Sequence, residues 1–245
     1  MPVSSVVSRS LFELILVRSR VAFILGLPLC FTVSAFFLLL PELDLLASGV
    51  FFNPSRMEDG TSIGFWLRHN ETLGLSFVAV DMLSRIVLLC LLGLLVIRII
   101  RRHEKMLSTL IVTLSLIFGP VIVVNGVLKE HWDRARPRDL KEFGGNKQFT
   151  PAWIKSDQCD RNCSFTSGHA AAGFSFIVIY FVASSRVWLL LSLFCGGLIG
   201  WTRIAVGAHF LSDVIISFFM VYLITAAVAW AVVLLAPAAA KAVRV

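Results

Sequence analysis

Long uncharged apolar runs, separated by short polar stretches, dominate the pattern along this chain. Val21 to Leu40, Met106 to Leu128 and Val214 to Ala240 each reach the roughly 20 residues of helix needed to cross a hydrocarbon core. Ala170 to Ser185 and Val187 to Thr202 have 16 residues each and reach that length by borrowing flanking residues. Thr72 to Ile97 is equally apolar but carries Asp81 and Arg85. The pattern predicts an all-α bundle of six transmembrane helices in a single domain over residues 1–245. Helices are the expected element because a bilayer interior offers no water to satisfy exposed backbone groups. No repeat, low-complexity tract or linker divides the chain.

Composition agrees with that reading and charge orients it. Hydrophobic residues make up 58% of the chain and charged residues 15%, against about 25% charged in soluble domains. The net charge of +7 raises the question of a nucleic-acid partner, but the positions of the basic residues argue against one. Arg9, Arg18 and Arg20 precede the first run; Arg98, Arg101, Arg102 and Lys105 lie between the second and third; Arg186 links the fourth and fifth; Lys241 and Arg244 follow the sixth. All fall on one side of a six-helix topology, which the positive-inside rule makes cytoplasmic. Both termini are expected there, with loops 41–72, 129–168 and 203–213 facing outward. The first run exceeds the ~7–15 apolar residues of a cleaved signal and no small-residue cleavage site follows, so it reads as an anchor.

Two outward segments depart from a plain connection. Residues 129–168 exceed the about 12–15 residues beyond which loops are commonly functional or disordered, and Trp132, Phe143, Phe149 and Trp153 favour a packed cap. Glu42 to Glu71 carries Phe51, Phe52, Phe65 and Trp66, which suit an interfacial aromatic belt or a gate for a lipid entering sideways. Cys30, Cys90 and Cys195 fall inside apolar runs and read as small fillers. Cys159 and Cys163 fall together in the cap, where a disulfide suits an oxidising compartment. A zinc site would need a second ligand pair that does not stand nearby.

Ionisable residues next to a membrane are functional candidates, and three segments place them at the outer ends of apolar runs. In the first, Lys129 and Arg136 are seven apart, about two helical turns, and share a face if the segment is helical. An arginine fork and a lysine point charge suit a phosphate dianion; a juxtamembrane cluster for anionic headgroups is the plainer alternative. In the second, Ser167 and Gly168 precede His169 at a helix start, where free N–H groups attract anions. The alternatives there are an N-cap serine and a histidine satisfied by a loop carbonyl. In the third, Arg203 precedes His209 and Asp213, which lie four apart, so that an aspartate accepting from one ring nitrogen would leave the other as a nucleophile. An i,i+4 pair capping an interfacial helix is the bland reading. Taken together the three supply two histidines and three cations on one predicted side, with no competing metal set or nucleotide loop.

The three segments resemble the signature motifs of the phosphatidic acid phosphatase type 2 superfamily, which includes lipid phosphatases, bacterial acid phosphatases and vanadium haloperoxidases. The family pattern K-x6-R-P matches Lys129 through Arg136 and Pro137, within 129–137. P-S-G-H matches Thr166, Ser167, Gly168 and His169, within 164–169, with Thr for Pro. S-R-x5-H-x3-D matches Thr202, Arg203, His209 and Asp213, within 202–213, with Thr for Ser. The resemblance implies a phosphohistidine route without metal or other cofactor. His209 is the nucleophile, Asp213 orients it, and His169 is general acid and then base. Lys129, Arg136, Ser167, Gly168 and Arg203 bind phosphate. The cap sequence is similar to bacterial lipid A phosphatases, which implies lipid A as substrate at its 1- or 4′-phosphate, leaning to the 4′. Arg134 and Arg138 would then bind a second anionic group, or be ordinary surface charge. Undecaprenyl pyrophosphate, phosphatidylglycerol phosphate and phosphatidic acid are alternative substrates. A lipid phosphotransferase, and a non-catalytic lipid-phosphate binder or transporter, are alternative activities. The sequence is silent on oligomeric state.

Overall fold

The computed structural model describes residues 3–56, 64–183 and 185–242, and side chains from residue 12 to residue 236 within those stretches except that of Arg56. Its α-helices are α1 (Val3–Leu39), α2 (Glu42–Gly49), α3 (Glu71–Ile100), α4 (Met106–Leu116), α5 (Lys129–His131), α6 (Gly168–Phe174), α7 (Ile177–Ala183), α8 (Arg186–Ala205) and α9 (Leu211–Ala242). Phe12–Leu39, Glu71–Ile100, Met106–His131, Arg186–Ala205 and Leu211–Ala236 are each long and apolar enough to cross a membrane. The shorter apolar stretch Gly168–Ala183, formed by α6 and α7, stands where the sequence predicts a further crossing.

Helix α9 is the central element. It packs on α1, α4, α6 and α7, and the principal core lies between them, with Ile111, Ala171, Ile177, Phe181, Val221 and Ala226 fully or almost fully buried. The bundle is lined by small and hydroxyl side chains and clothed in large apolar ones. Ser19, Thr109, Thr113, Ser192, Ser217 and Thr225 are buried, whereas Leu25, Phe31, Leu89, Ile100, Phe194 and Leu235 point outward. That distribution follows from lipid as solvent. Leucine gains nothing by leaving hydrocarbon, so close approach and hydrogen bonding decide what goes inside. At Gly173 a Cβ would come within 2.8 Å of the Gly196 Cα, so α6 and α8 meet backbone to backbone. Helix α3 is the exception to this close packing: none of its residues is buried, and its main neighbours are α4 and α6.

Two crossings are less regular than the apolar pattern implies. The third is α-helical to Leu116, π-helical over Ile117–Leu128, and α-helical again at Lys129–His131. Pro120 lies inside the widened stretch, lacks an N–H and crowds the preceding turn. The Asn125 amide donates to the Pro120 carbonyl at 2.7 Å. The fourth breaks between Phe174 and Ile177, and Ser192 of α8 donates to the Phe174 carbonyl at 2.6 Å. Arg18 and Arg20, expected ahead of the first crossing, lie on the continuous helix α1. Arg18 reaches α7, where it donates to the Tyr180 carbonyl at 2.6 Å and stands 4.6 Å over its ring. A long side chain can satisfy its charge in this way without ending the helix. The side chains of Arg9 and Lys241, and all of Arg244, lie outside the described residues.

Residues 132–167 form the cap. Trp132, Trp153 and Phe165 stack in one cluster with centroids 5.0–5.8 Å apart. Cys159 and Cys163 are joined in a disulfide, their Cα atoms 5.7 Å apart. The aromatics between α2 and α3 pack largely against the protein. Phe65 is buried, and Phe52, Phe65 and Phe143 pack with centroids 5.2–5.4 Å apart, which ties that loop to the cap. Trp66 alone of the four remains mostly exposed, and residues 57–63 lie outside the described set.

Candidate active site

All three sequence segments arrive at one end of the bundle. Lys129 ends the third crossing, Ser167, Gly168 and His169 begin α6, Arg203 lies in the last turn of α8, and Asp213 lies in the first turn of α9. Lys129, Arg136 and Arg203 are nearly buried, and Lys129 and Arg203 act electrostatically on both His169 and His209. The juxtaposition does not come from helical periodicity. Lys129 is on the final helical turn, but Arg136 is extended at φ −84° and ψ 154°. Pro137 disfavours the helical region at the residue before it, so the chain leaves the helix and brings Arg136 back through the cap.

His209 sits in the turn between α8 and α9 and is fully buried. Its Nδ1 lies 2.7 Å from the Ser164 carbonyl, and the Asp213 carboxylate stands farther off at 3.6 Å. A carbonyl only accepts, so Nδ1 carries the proton and Nε2 carries the lone pair. Nε2 is buried without a hydrogen-bond partner. Burial first, then Arg203, Arg136 and Lys129, hold the ring's pKa well below its ordinary value of 6.5, so it is neutral at physiological pH. The loop carbonyl, rather than the aspartate expected from the i,i+4 spacing, fixes the tautomer.

Asp213 is busy elsewhere. Its Oδ2 accepts from the Phe210 N–H at 2.8 Å, the reach-back of an acidic residue in the first turn to the helix cap position. Oδ2 also accepts from the Ser164 hydroxyl at 2.5 Å, which fixes the residue whose carbonyl holds His209. Oδ1 pairs with Arg134 at 2.7 Å. Arg134 is therefore neither surface charge nor a headgroup contact. It is fully buried, pairs with Asp44 at 2.8 Å, donates to Ser212 at 3.0 Å and to the Thr150 carbonyl at 2.7 Å, and lies 4.1 Å over the Phe210 ring. Asp44, on α2, also accepts from the Ser212 hydroxyl at 2.6 Å and N–H at 2.8 Å. One cation between two carboxylates, every oxygen occupied, locks the cap, α2 and the start of α9 around His209. Sequence reasoning missed Asp44 altogether. Its one signal was a carboxylate within the apolar stretch 43–47.

The cations are held apart by separate devices. Arg136 donates to the Asn162 carbonyl from Nε at 3.2 Å and from a terminal nitrogen at 2.5 Å. Asn162 lies between the paired cysteines. Burial and the neighbouring Arg138 lower the Arg136 pKa to about 10, which leaves it a cation at neutral pH. Arg203 stacks 4.2 Å over the Phe77 ring of α3, and its Nε is buried without a partner. Arg138 lies nearer solvent, 3.8 Å from Asp139. Ser167 caps α6, accepting from the Ala170 N–H at 3.4 Å, while its own N–H donates to Ser217 of α9 at 2.9 Å. A Cβ at Gly168 would meet Asn125 Oδ1 at 2.2 Å, so the chain needs glycine there for close approach.

His169 stands on the other side of this cradle, against α3. Its Nε2 lies 3.5 Å from Asp81, and its ring meets Phe77 edge-on at 5.4 Å. Sequence reasoning noticed Asp81 inside an apolar run but gave it no role.

Residues 105–236 match the family described as the PAP2 superfamily. The "Lipid A 4'-phosphatase" of Francisella tularensis subsp. novicida (strain U112) is 36% identical over 217 residues, 84% of this chain and 94% of the relative. Proteins of that name from Rhizobium leguminosarum and Rhizobium etli are 42% identical over 105 residues and 41% over 107, covering 45% and 40% of their own lengths. No solved structure matches the chain.

Proposed function

The chain belongs to the PAP2 superfamily, and from that premise we propose that it removes the 4′-phosphate of lipid A through a phosphohistidine on His209. It is a multi-pass membrane phosphatase acting on a lipid phosphate monoester. The observation that carries the mechanism is the buried His209 ring, proton on Nδ1, with an unpaired Nε2 in a pocket whose cations also act on His169. The choice of lipid rests on the 36% identity to the Francisella protein over nearly its whole length.

His209 Nε2 attacks phosphorus as the bond to the departing oxygen breaks. His169 gives that oxygen a proton, then takes one from the water that releases phosphate. Lys129, Arg136 and Arg203 hold the nonbridging oxygens, with the Ser167 hydroxyl and the Gly168 N–H beside them. Acid–base catalysis supplies only about 10²–10⁴, whereas phosphate-monoester hydrolysis is accelerated by up to ~10²¹. Fixed cations and positioning supply most of the difference. The positions of the basic side chains support a site on the periplasmic face of the inner membrane with both termini cytoplasmic.

The test is purified enzyme in micelles with bis-phosphorylated lipid A, read by mass spectrometry and phosphorus NMR. The expected product keeps its 1-phosphate and releases inorganic phosphate, and turnover is unchanged by EDTA. Loss of the 1-phosphate instead would overturn the regiochemistry. A larger kcat/KM for undecaprenyl pyrophosphate, phosphatidylglycerol phosphate or phosphatidic acid would replace the substrate. Phosphate appearing only on a second lipid would make the enzyme a transferase. EDTA inactivation reversed by a divalent metal would overturn the metal-free route.

A further inference from the structure

Helix α3 is longer than a crossing needs. Its 30 residues span about 45 Å at 1.5 Å per residue, against a hydrocarbon core of about 30 Å. With Arg98 and Arg101 anchoring its inner end, Phe77 and Asp81 fall near the outer edge of the hydrocarbon, one helical turn apart. Both face the site: Phe77 lies under the Arg203 guanidinium, and Asp81 meets His169 Nε2 at 3.5 Å. A carboxylate on a helix that buries none of its residues is costly unless it serves a partner. The partner here is an imidazole that also hydrogen-bonds the Phe77 backbone and whose other charged neighbours, Lys129 and Arg203, are both cations.

We propose that Asp81 is a positioning residue for His169: its carboxylate anchors the Nε2 side of the ring and supplies the counter-charge that lets the imidazole carry a proton beside two cations. This rests on the reading of His169 as general acid. In the first step the proton on the other ring nitrogen, Nδ1, moves to the departing oxygen as the O–P bond breaks and the bond from His209 Nε2 to phosphorus forms. His169 is left neutral. In the second step His169 takes the proton back from the attacking water. Asp81 touches neither substrate nor phosphorus.

The test uses leaving groups of different quality. A sugar or alkyl oxygen leaves only with a proton, whereas nitrophenolate leaves without one. The full-length enzyme in micelles would be assayed on lipid A and on a nitrophenyl phosphate carrying a hexadecanoyl chain. His169→Gln, Asp81→Asn and Asp81→Glu would be compared through kcat/KM, which reports the first step. We expect Asp81→Asn to lose about 10- to 100-fold on lipid A, a part of the ~10²–10⁴ that general acid catalysis contributes. On the nitrophenyl substrate it should lose little, and Asp81→Glu should recover part of the lipid A rate. The side chain is 57% exposed, so these variants should fold. Equal losses on both substrates, or none on either, overturn the proposal while leaving the acid role of His169 standing, provided His169→Gln itself loses rate selectively on lipid A. If His169→Gln shows no such selectivity, the acid assignment fails and the role of Asp81 fails with it.

Discussion

The two histidines occupy opposite kinds of surroundings. His209 is sealed, with its tautomer set by a carbonyl that a buried carboxylate in turn fixes, and that carboxylate is clamped by Arg134 and Asp44. His169 is partly open, its side chain 14% exposed, and it leans on a helix that buries none of its residues. In the mechanism we propose, the nucleophile has to be preorganised because its lone pair must point at phosphorus with no cost at the moment of reaction. The proposed acid has a lipid arriving and leaving beside it, and its neighbours Phe77 and Asp81 belong to the helix that buries none of its residues. The proposed mechanism divides those two demands between two differently held side chains.

Substitutions can break that contrast. The largest expected effect is at the sealed wall: His209→Ala should lose at least about 10⁴-fold in turnover on every substrate, as when one member of a catalytic triad is removed, while the protein still inserts and elutes as wild type. Residual turnover within tenfold of wild type would place the nucleophile elsewhere. Next is stability. Arg134→Met strands two buried carboxylates and should cost about 3–5 kcal/mol, whereas exposed Asp81→Asn should stay within about 0.5 kcal/mol. Thermal unfolding in detergent reads both, and equal losses would abolish the distinction between the walls.

Asp44→Asn removes a charge but keeps one acceptor, and an imperfectly satisfied buried group costs about 1–3 kcal/mol. Its kcat should fall with its melting temperature, while KM stays near wild type, because the phosphate cations are untouched. A changed KM with unchanged kcat would place Asp44 in binding.

The charge state of His209 offers a sharper reading than any rate. Its folded pKa is depressed, so the unfolded chain takes up a proton near 6.5 where the folded chain does not. Stability contributed by the neutral ring is therefore present above that pH and lost progressively below it. Nitrogen NMR of labelled histidine should show a neutral ring protonated on Nδ1 that does not titrate near 6.5; an ordinary titration there would mean the wall is not sealed. The smallest effect is expected at the cap. Replacing Cys159 and Cys163 with serine frees the Asn162 carbonyl that steadies Arg136, and should weaken lipid binding by about fivefold, or ~1 kcal/mol for one hydrogen bond. No change in KM would mean that the disulfide serves the cap alone.

The apolar runs alone located the five helices long and apolar enough to cross a membrane, the first of them starting nine residues earlier than its uncharged run, because hydrocarbon imposes a length and a scarcity of charge. The motif spacing likewise singled out His169, His209, Lys129, Arg136 and Arg203 as candidates. Tertiary structure decided how those residues are held. Periodicity placed Lys129 and Arg136 on one helical face, but Pro137 turned the chain and the cap made the same pairing by another route. The i,i+4 rule gave Asp213 to His209, but the Ser164 carbonyl came closer, and Asp213 was drawn to Arg134 instead. Asp44 is 90 residues from Arg134, and His169 is on a different helix from Asp81. Local spacing reports neighbours along one helix. The burial of a charge is settled by whichever opposite charge the fold carries to it, and that choice is made in three dimensions.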